Sequence, residues 1–108
     1  MKHYRSYKEH LINQLKDPQE ASAYLNAALE ETFETKDPGI FQLAVRDVVE
    51  ANGGMSEISS KMEVNRESFY RSLSKKGNAR FSTLMNAIKA CGLELEIHPS
   101  FSRKKKGR

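Results

Sequence analysis

Residues 53–74 read GGMSEISSKMEVNRESFYRSLS, and the fold of the chain turns on them. The glycine pair Gly53-Gly54 punctuates the backbone. Behind it, Ile58 and Met62 lie four apart, as do Phe69 and Leu73 further on, and in a helix each such pair shares a face. Only Glu63-Val64 separates the two segments. The spacing predicts two short helices, 55–62 and 65–74, joined by a tight turn. Ile58 and Met62 face inward from the first, Val64 fills the turn, and Phe69 and Leu73 anchor the second.

With Phe69 and Leu73 turned inward, the other side of the second helix shows Asn65, Arg66, Glu67, Tyr70 and Arg71. These side chains have the chemistry of base reading in a DNA major groove. Arg pairs bidentately with guanine, Asn and Glu read adenine or cytosine edges, and Tyr reaches a phosphate or a thymine methyl. A basic turn follows, in which Lys75, Lys76, Asn78 and Arg80 are suited to hold the DNA backbone; such contacts position a protein without specifying sequence. The amino end of the second helix also points N–H groups outward, as anion sites do. The same pattern fits an ordinary helical hairpin with a solvated charged face, and spacing does not separate the two.

Working towards the amino terminus, Asp37-Pro38 signals a helix start, since Asp caps and Pro at the first helical position loses no hydrogen bond. The helix from 38 to about 51 carries Ile40, Phe41, Ala44, Val45, Val48 and Val49 on one broad face and is expected to be the spine of the core. Asp17-Pro18 repeats the signal for a helix to about Glu34, with Ala21, Tyr24, Leu25, Ala28 and Leu29 as its stripe and Glu30, Glu31 and Glu34 at its end. A shorter helix over Ser6–Lys16 carries Tyr7, Leu11, Ile12 and Leu15.

Towards the carboxyl terminus, a last helix over 83–90 places Leu84, Met85, Ile88 and Ala90 on its apolar side. Leu93-Glu94-Leu95-Glu96-Ile97 then alternates apolar and charged residues, the pattern of a short half-buried strand. A lone strand needs a partner for its backbone, and a second copy of the chain is an economical one. The expected architecture is therefore all-α. It has a helical extension at 1–36, a helix-turn-helix domain at 37–98 with one short strand, and a basic disordered tail at 99–108.

Charge divides along the chain. Residues 1–53 hold six Lys/Arg against nine Asp/Glu, net −3, whereas residues 54–108 hold twelve against five, net +7. Such asymmetry fits two faces with different partners, one of them acidic. Cys91 is the only cysteine, so an intramolecular disulfide is impossible, and a reduced, half-buried thiol is expected. The amino-terminal MKHYRSYKEH is polar and lacks the apolar stretch of a signal peptide, and no apolar run is long enough to span a bilayer. A cytoplasmic location follows as the expectation.

Enzyme readings find little support. His3, His10 and His98 lie near the two ends, no Cys/His spacing matches zinc, and no glycine-rich loop matches a nucleotide site, so neither metal nor cofactor is expected. Glu30, Glu31 and Glu34 form a carboxylate group, but consecutive glutamates on a helix end usually make a solvated face.

The stretch GGMSEISSKMEVNRESFYRSLSKKGNARFSTLMNAIKACGLELEI resembles the lambda-repressor-like, Cro/C1-type helix-turn-helix of probable addiction-module antidote proteins. AYLNAALEE and LAVRDVVEA, upstream, share the likeness, which covers about residues 17–98. The resemblance implies a small helical antitoxin that represses its own operon and is partnered by a RelE-type toxin. By position, Arg66, Glu67 and Arg71 fall where such helices touch bases, Asn65 at the start of the reading helix, and Ser68 and Tyr70 at its margins. Ser56 and Ser59 fall where the first helix donates to phosphate. Two positions depart from the family pattern. Ser59 stands in place of the usual Ala, and Glu63 stands where the turn usually has Gly; a non-Gly residue in a left-handed conformation costs about 1 kcal/mol. The residues alone leave two other functions open: a stand-alone phage-type repressor, and a protein-interaction module that binds no DNA.

Overall fold

The computed structural model describes residues 2–100 of the chain, with the side chains of 6–100. From residue 101 onward the basic tail lies outside the described residues. Among the described residues six helices follow one another: α1 (Lys2–Gln14), α2 (Pro18–Thr35), α3 (Pro38–Ala51), α4 (Gly54–Met62), α5 (Arg66–Ser72) and α6 (Phe81–Ala90). No strand occurs among the described residues, and the architecture is all-α.

Both Asp-Pro pairs open helices as their chemistry dictates. Asp17 accepts from the Gln19 N–H at 2.9 Å and Asp37 from the Gly39 N–H at 3.0 Å. Each prolyl ring sits in the first turn. A side-chain cap of this kind contributes about 1 kcal/mol. α2 ends without glycine: Lys36 takes the left-handed conformation, φ 61°, and its N–H bonds to the Thr32 carbonyl.

α3 is the spine that its stripe predicts. Val45, Val48 and Val49 are at most 1% exposed, and the helix packs against α1, α2, α4 and α6. Leu15, Ala21, Leu25 and Ala28 from the first 36 residues join Ile58, Phe69, Leu73, Ala87 and Ile88 in a single apolar cluster around it. The amino-terminal helices therefore share the core of the helix pair. Burial of a Val, Leu or Ile side chain contributes about 1.5–3 kcal/mol, so α3 draws stability from both sides.

α1 begins four residues and α6 two residues before the expected starts, and α1 ends two residues early; two further regions differ from the sequence expectation. α5 closes at Ser72, two residues early: Leu73 leaves helical geometry with ψ 1°, and the Ser74 N–H turns to the Arg71 carbonyl, three residues back, at 3.2 Å. The Ser72 and Ser74 hydroxyls take the carbonyls of Phe69 and Arg71 at 2.8 Å, and serines offer the backbone this alternative to helix. Residues 93–99 carry no regular secondary structure. Leu93 packs partly against the core and its N–H bonds to the Ile88 carbonyl, but Leu95 is 44% and Ile97 96% exposed. Alternation alone does not make a strand where no second strand lies alongside.

Candidate nucleic-acid interface

α4 begins at a glycine pair with φ of 112° and 91°, a conformation that side chains resist. The turn into α5 is closed by the backbone. The Glu63 N–H bonds to the Ser60 carbonyl and the Val64 N–H to the Ser59 carbonyl, at 3.1 and 3.0 Å. This pair of bonds is a Schellman closure, which requires a left-handed residue, and Glu63 supplies it with φ 59°, ψ 45°. The departure at Glu63 thus lies at a strained position. Val64 does not fill the turn with its side chain, which is 45% exposed; its N–H does the work.

Behind the turn, Ile58 and Leu73 are fully buried and Phe69 is 3% exposed, while Met62 packs on the same cluster. These anchors fix how α5 is presented. Arg66, Glu67, Tyr70 and Arg71 are all exposed. Glu67 and Arg71 stand one turn apart on the side away from Phe69 and Leu73.

Three of the sequence candidates have structural work as well. Asn65 caps α5, its carboxamide oxygen accepting from the Ser68 N–H at 2.8 Å, so only its NH2 group is left to face outward. Tyr70 is tethered to α3: Arg46 Nη2 donates to its hydroxyl at 3.0 Å, and the Arg46 guanidinium carbon lies 4.8 Å from the ring centroid. Ser59 is a correction. It is 3% exposed and its hydroxyl donates to the Ser56 carbonyl at 3.2 Å, so it stands at the helix crossing and not where phosphate can reach it. Ser56 and Ser68 are exposed.

Lys75, Lys76, Asn78 and Arg80 are exposed on the segment between α5 and α6. Asn78 and Arg80 share a shallow depression with Val64, Ser68 and Ser72. The basic segment therefore borders one margin of α5.

Two residues absent from the sequence reading shape this surface. Arg46 is one, and its carboxylate partner Glu50 lies 3.6 Å away on the next turn of α3. The other is Gln42, 5% exposed, whose carboxamide is buried against the segment after α5. The signal for Gln42 was present: it lies three and seven residues before Val45 and Val49, on the inward stripe, where a polar side chain must find partners.

Further from the pair, Lys8 of α1 lies 3.4 Å from Asp47 and 3.7 Å from Glu50, and the Tyr24 hydroxyl donates to Asp47 at 2.6 Å. Burial first, and the Asp47 carboxylate second, hold the Tyr24 phenol well above its ordinary range. Burial pushes the Cys91 thiol up to about 11, against a smaller opposing effect of Lys61. The described residues contain no group of three or more His, Cys, Asp or Glu placed to hold a metal ion, and no helix among them is long and apolar enough to cross a membrane.

Residues 7–99 match the family described as "Probable addiction module antidote protein". A Haemophilus influenzae (Rd) protein described as "Uncharacterized protein" is 32% identical over 92 residues, covering 85% of this chain and 86% of that one. No solved structure matches. The matched span runs from within α1 past the end of α6, so it takes in the helix pair, its buried anchors and the basic segment together. An antidote family implies a toxin as partner. On a match that extends over nearly its whole length, the chain belongs to the family of probable addiction module antidote proteins.

Proposed function

We infer that this protein is the antitoxin of a type II toxin–antitoxin module. It neutralises a RelE-type toxin and, as a cytoplasmic homodimer without catalytic activity, binds a palindromic operator to repress its own operon. The observation that carries the DNA half is the presentation of α5. Phe69 and Leu73 are locked into the core, Arg66, Glu67 and Arg71 are exposed, and lysines flank the helix end. Arg66, Glu67 and Arg71 read bases, with Asn65 and Tyr70 at the margins. Lys75, Lys76, Asn78 and Arg80 hold the backbone, with Ser56 and Ser68 beside them.

The toxin half rests on family membership, with the acidic end of α2 as the surface offered to a basic partner. The test of the DNA half is fluorescence anisotropy on a labelled duplex from upstream of the operon. Arg66→Ala and Arg71→Ala are each expected to weaken specific binding by about 1–3 kcal/mol and to relax one base position. Binding by the double variant as tight as the parent's, at matched salt, overturns the assignment.

A further inference from the structure

The segment 74–79 is built around one buried side chain. Gln42 Nε2 donates to the Ser74 carbonyl at 2.9 Å and to the Gly77 carbonyl at 3.2 Å, while Gln42 Oε1 accepts from the Ala79 N–H at 2.9 Å. These bonds span more than thirty residues of sequence, from the inward face of α3 to the chain leaving α5. The two carbonyls held by the one nitrogen flank Lys75 and Lys76. The Gly77 N–H closes the same turn onto the Ser74 carbonyl at 2.9 Å. Gly77 also lies so close to the end of α5 that a methyl group there would collide with the backbone oxygens of Arg71 and Ser72.

A carboxamide is the side chain this arrangement needs. It offers two N–H donors and an acceptor on one planar head, and every one of the three bonds goes to backbone. The bonds do not depend on which residues occupy 75 and 76; they dictate where those residues stand. Apolar packing from α3 would bury the segment as well, but it would leave the carbonyls of Ser74 and Gly77 and the N–H of Ala79 without these partners.

We propose that Gln42 is a positioning residue for DNA backbone contact: it fixes the Ser74–Ala79 loop so that Lys75 and Lys76 are held beside α5 as a preformed phosphate clamp. The proposal rests on the DNA-binding reading above and concerns what holds the clamp, with α5 left to read sequence. Its consequence is a division of labour. Loss of Gln42 weakens binding to operator and scrambled duplex alike, because phosphate contacts carry no sequence information.

The salt dependence of binding tests this, since each neutralised phosphate contributes about 0.9 to the slope of log K against log salt. The measurement is anisotropy with the labelled upstream duplex and a scrambled duplex of the same length, between about 50 and 200 mM salt. Lys75→Ala/Lys76→Ala is expected to make the slope shallower by about 1.8. Gln42→Met, which keeps length without hydrogen bonds, is expected to move the slope in the same direction on both duplexes. Added to the lysine pair, it is expected to cause no further change. Circular dichroism confirms that each variant is folded at the assay temperature.

Gln42→Glu is the second variant. It retains the acceptor for Ala79 but puts a carboxylate oxygen against the two carbonyls, and it is expected to lower the slope as Gln42→Met does. A folded Gln42 variant with the parent's slope overturns the role of Gln42 while leaving the DNA-binding reading intact. Absence of binding by the parent itself removes both.

Discussion

At the scale of single residues, Glu63 and Lys36 both hold a backbone conformation that glycine favours. Glu63 holds a left-handed backbone, φ 59°, because the Schellman closure of α4 onto α5 needs that conformation there. A non-glycine residue in this region costs about 1 kcal/mol, and part of the gain from glycine is returned as unfolded-chain entropy. Glu63→Gly is therefore expected to raise stability by about 0.5 kcal/mol, read as a rise of a few degrees in the thermal midpoint. A midpoint unchanged or lowered would show that the Glu63 side chain compensates its own strain.

The Cys91 thiol is set by burial instead. Burial pushes its thiol from the ordinary 9.0 to about 11. The thiolate is the reactive form, so the folded protein at pH 8 is expected to alkylate with iodoacetamide roughly a hundredfold more slowly than the urea-unfolded chain. The sign for stability follows. A folded-state value raised above the unfolded one favours the protonated thiol, so its contribution is intact below the ordinary thiol range and is lost as pH climbs through it towards 11. Equal alkylation rates in the two states would contradict the burial.

At the scale of elements, periodicity and capping chemistry carried most of the fold. The Asp-Pro pairs, the valine stripe of α3 and the four-residue spacing of Phe69 and Leu73 each have a local cause and were readable in the sequence. The interface was readable in part. Glu67 and Arg71 emerge as exposed because their neighbours are buried, which periodicity encodes; Arg66 shares the spacing of Phe69 and Leu73 and is exposed as the first residue of α5, and the lysines lie beyond the helix. Gln42 and Arg46 act on α5 and its following loop across 24 to 37 residues, and no local pattern encodes such pairings. Ser59 was misplaced for a related reason: a small hydroxyl satisfies itself on the backbone at 3.2 Å and is buried as readily as alanine.

The proposed toxin contact is tested at the end of α2. Phe33 is 71% exposed there among Glu30, Glu31 and Glu34, an aromatic anchor in an acidic surround, and aromatic residues dominate interface energetics. Deleting residues 1–36 would strip Leu15, Ala21, Leu25 and Ala28 from the shared core, so a truncation would confound binding with folding. Phe33→Ala leaves the core untouched. It is expected to weaken capture of the co-expressed toxin by about 2 kcal/mol, seen by calorimetry, with an unchanged thermal midpoint. Toxin affinity equal to the parent's would place the contact elsewhere.

At the scale of the whole molecule, the exposed segment 93–97 bears on the proposed homodimer. A palindromic operator presents half-sites about 34 Å apart, which calls for two reading helices related by a two-fold axis. Antiparallel pairing of Leu93–Ile97 with itself, centred on Leu95, would supply strand partners and cover Leu95 and Ile97, which a single chain leaves 44% and 96% exposed. The same register sets Glu94 across from Glu96 of the second copy, and like charges directly opposite are destabilising. The two associations should then respond to salt with opposite signs. Screening relieves the glutamate pairs and tightens the dimer, whereas DNA binding weakens as counterion release loses its drive. Sedimentation at about 50 and 500 mM salt is expected to show a dimer that strengthens with salt. Leu95→Lys, which puts two charges on the axis, is expected to leave the protein monomeric but folded. A dimer that loosens with salt, or that survives Leu95→Lys, would move the two-fold axis to another face, and the half-site spacing of the operator would then report which face that is.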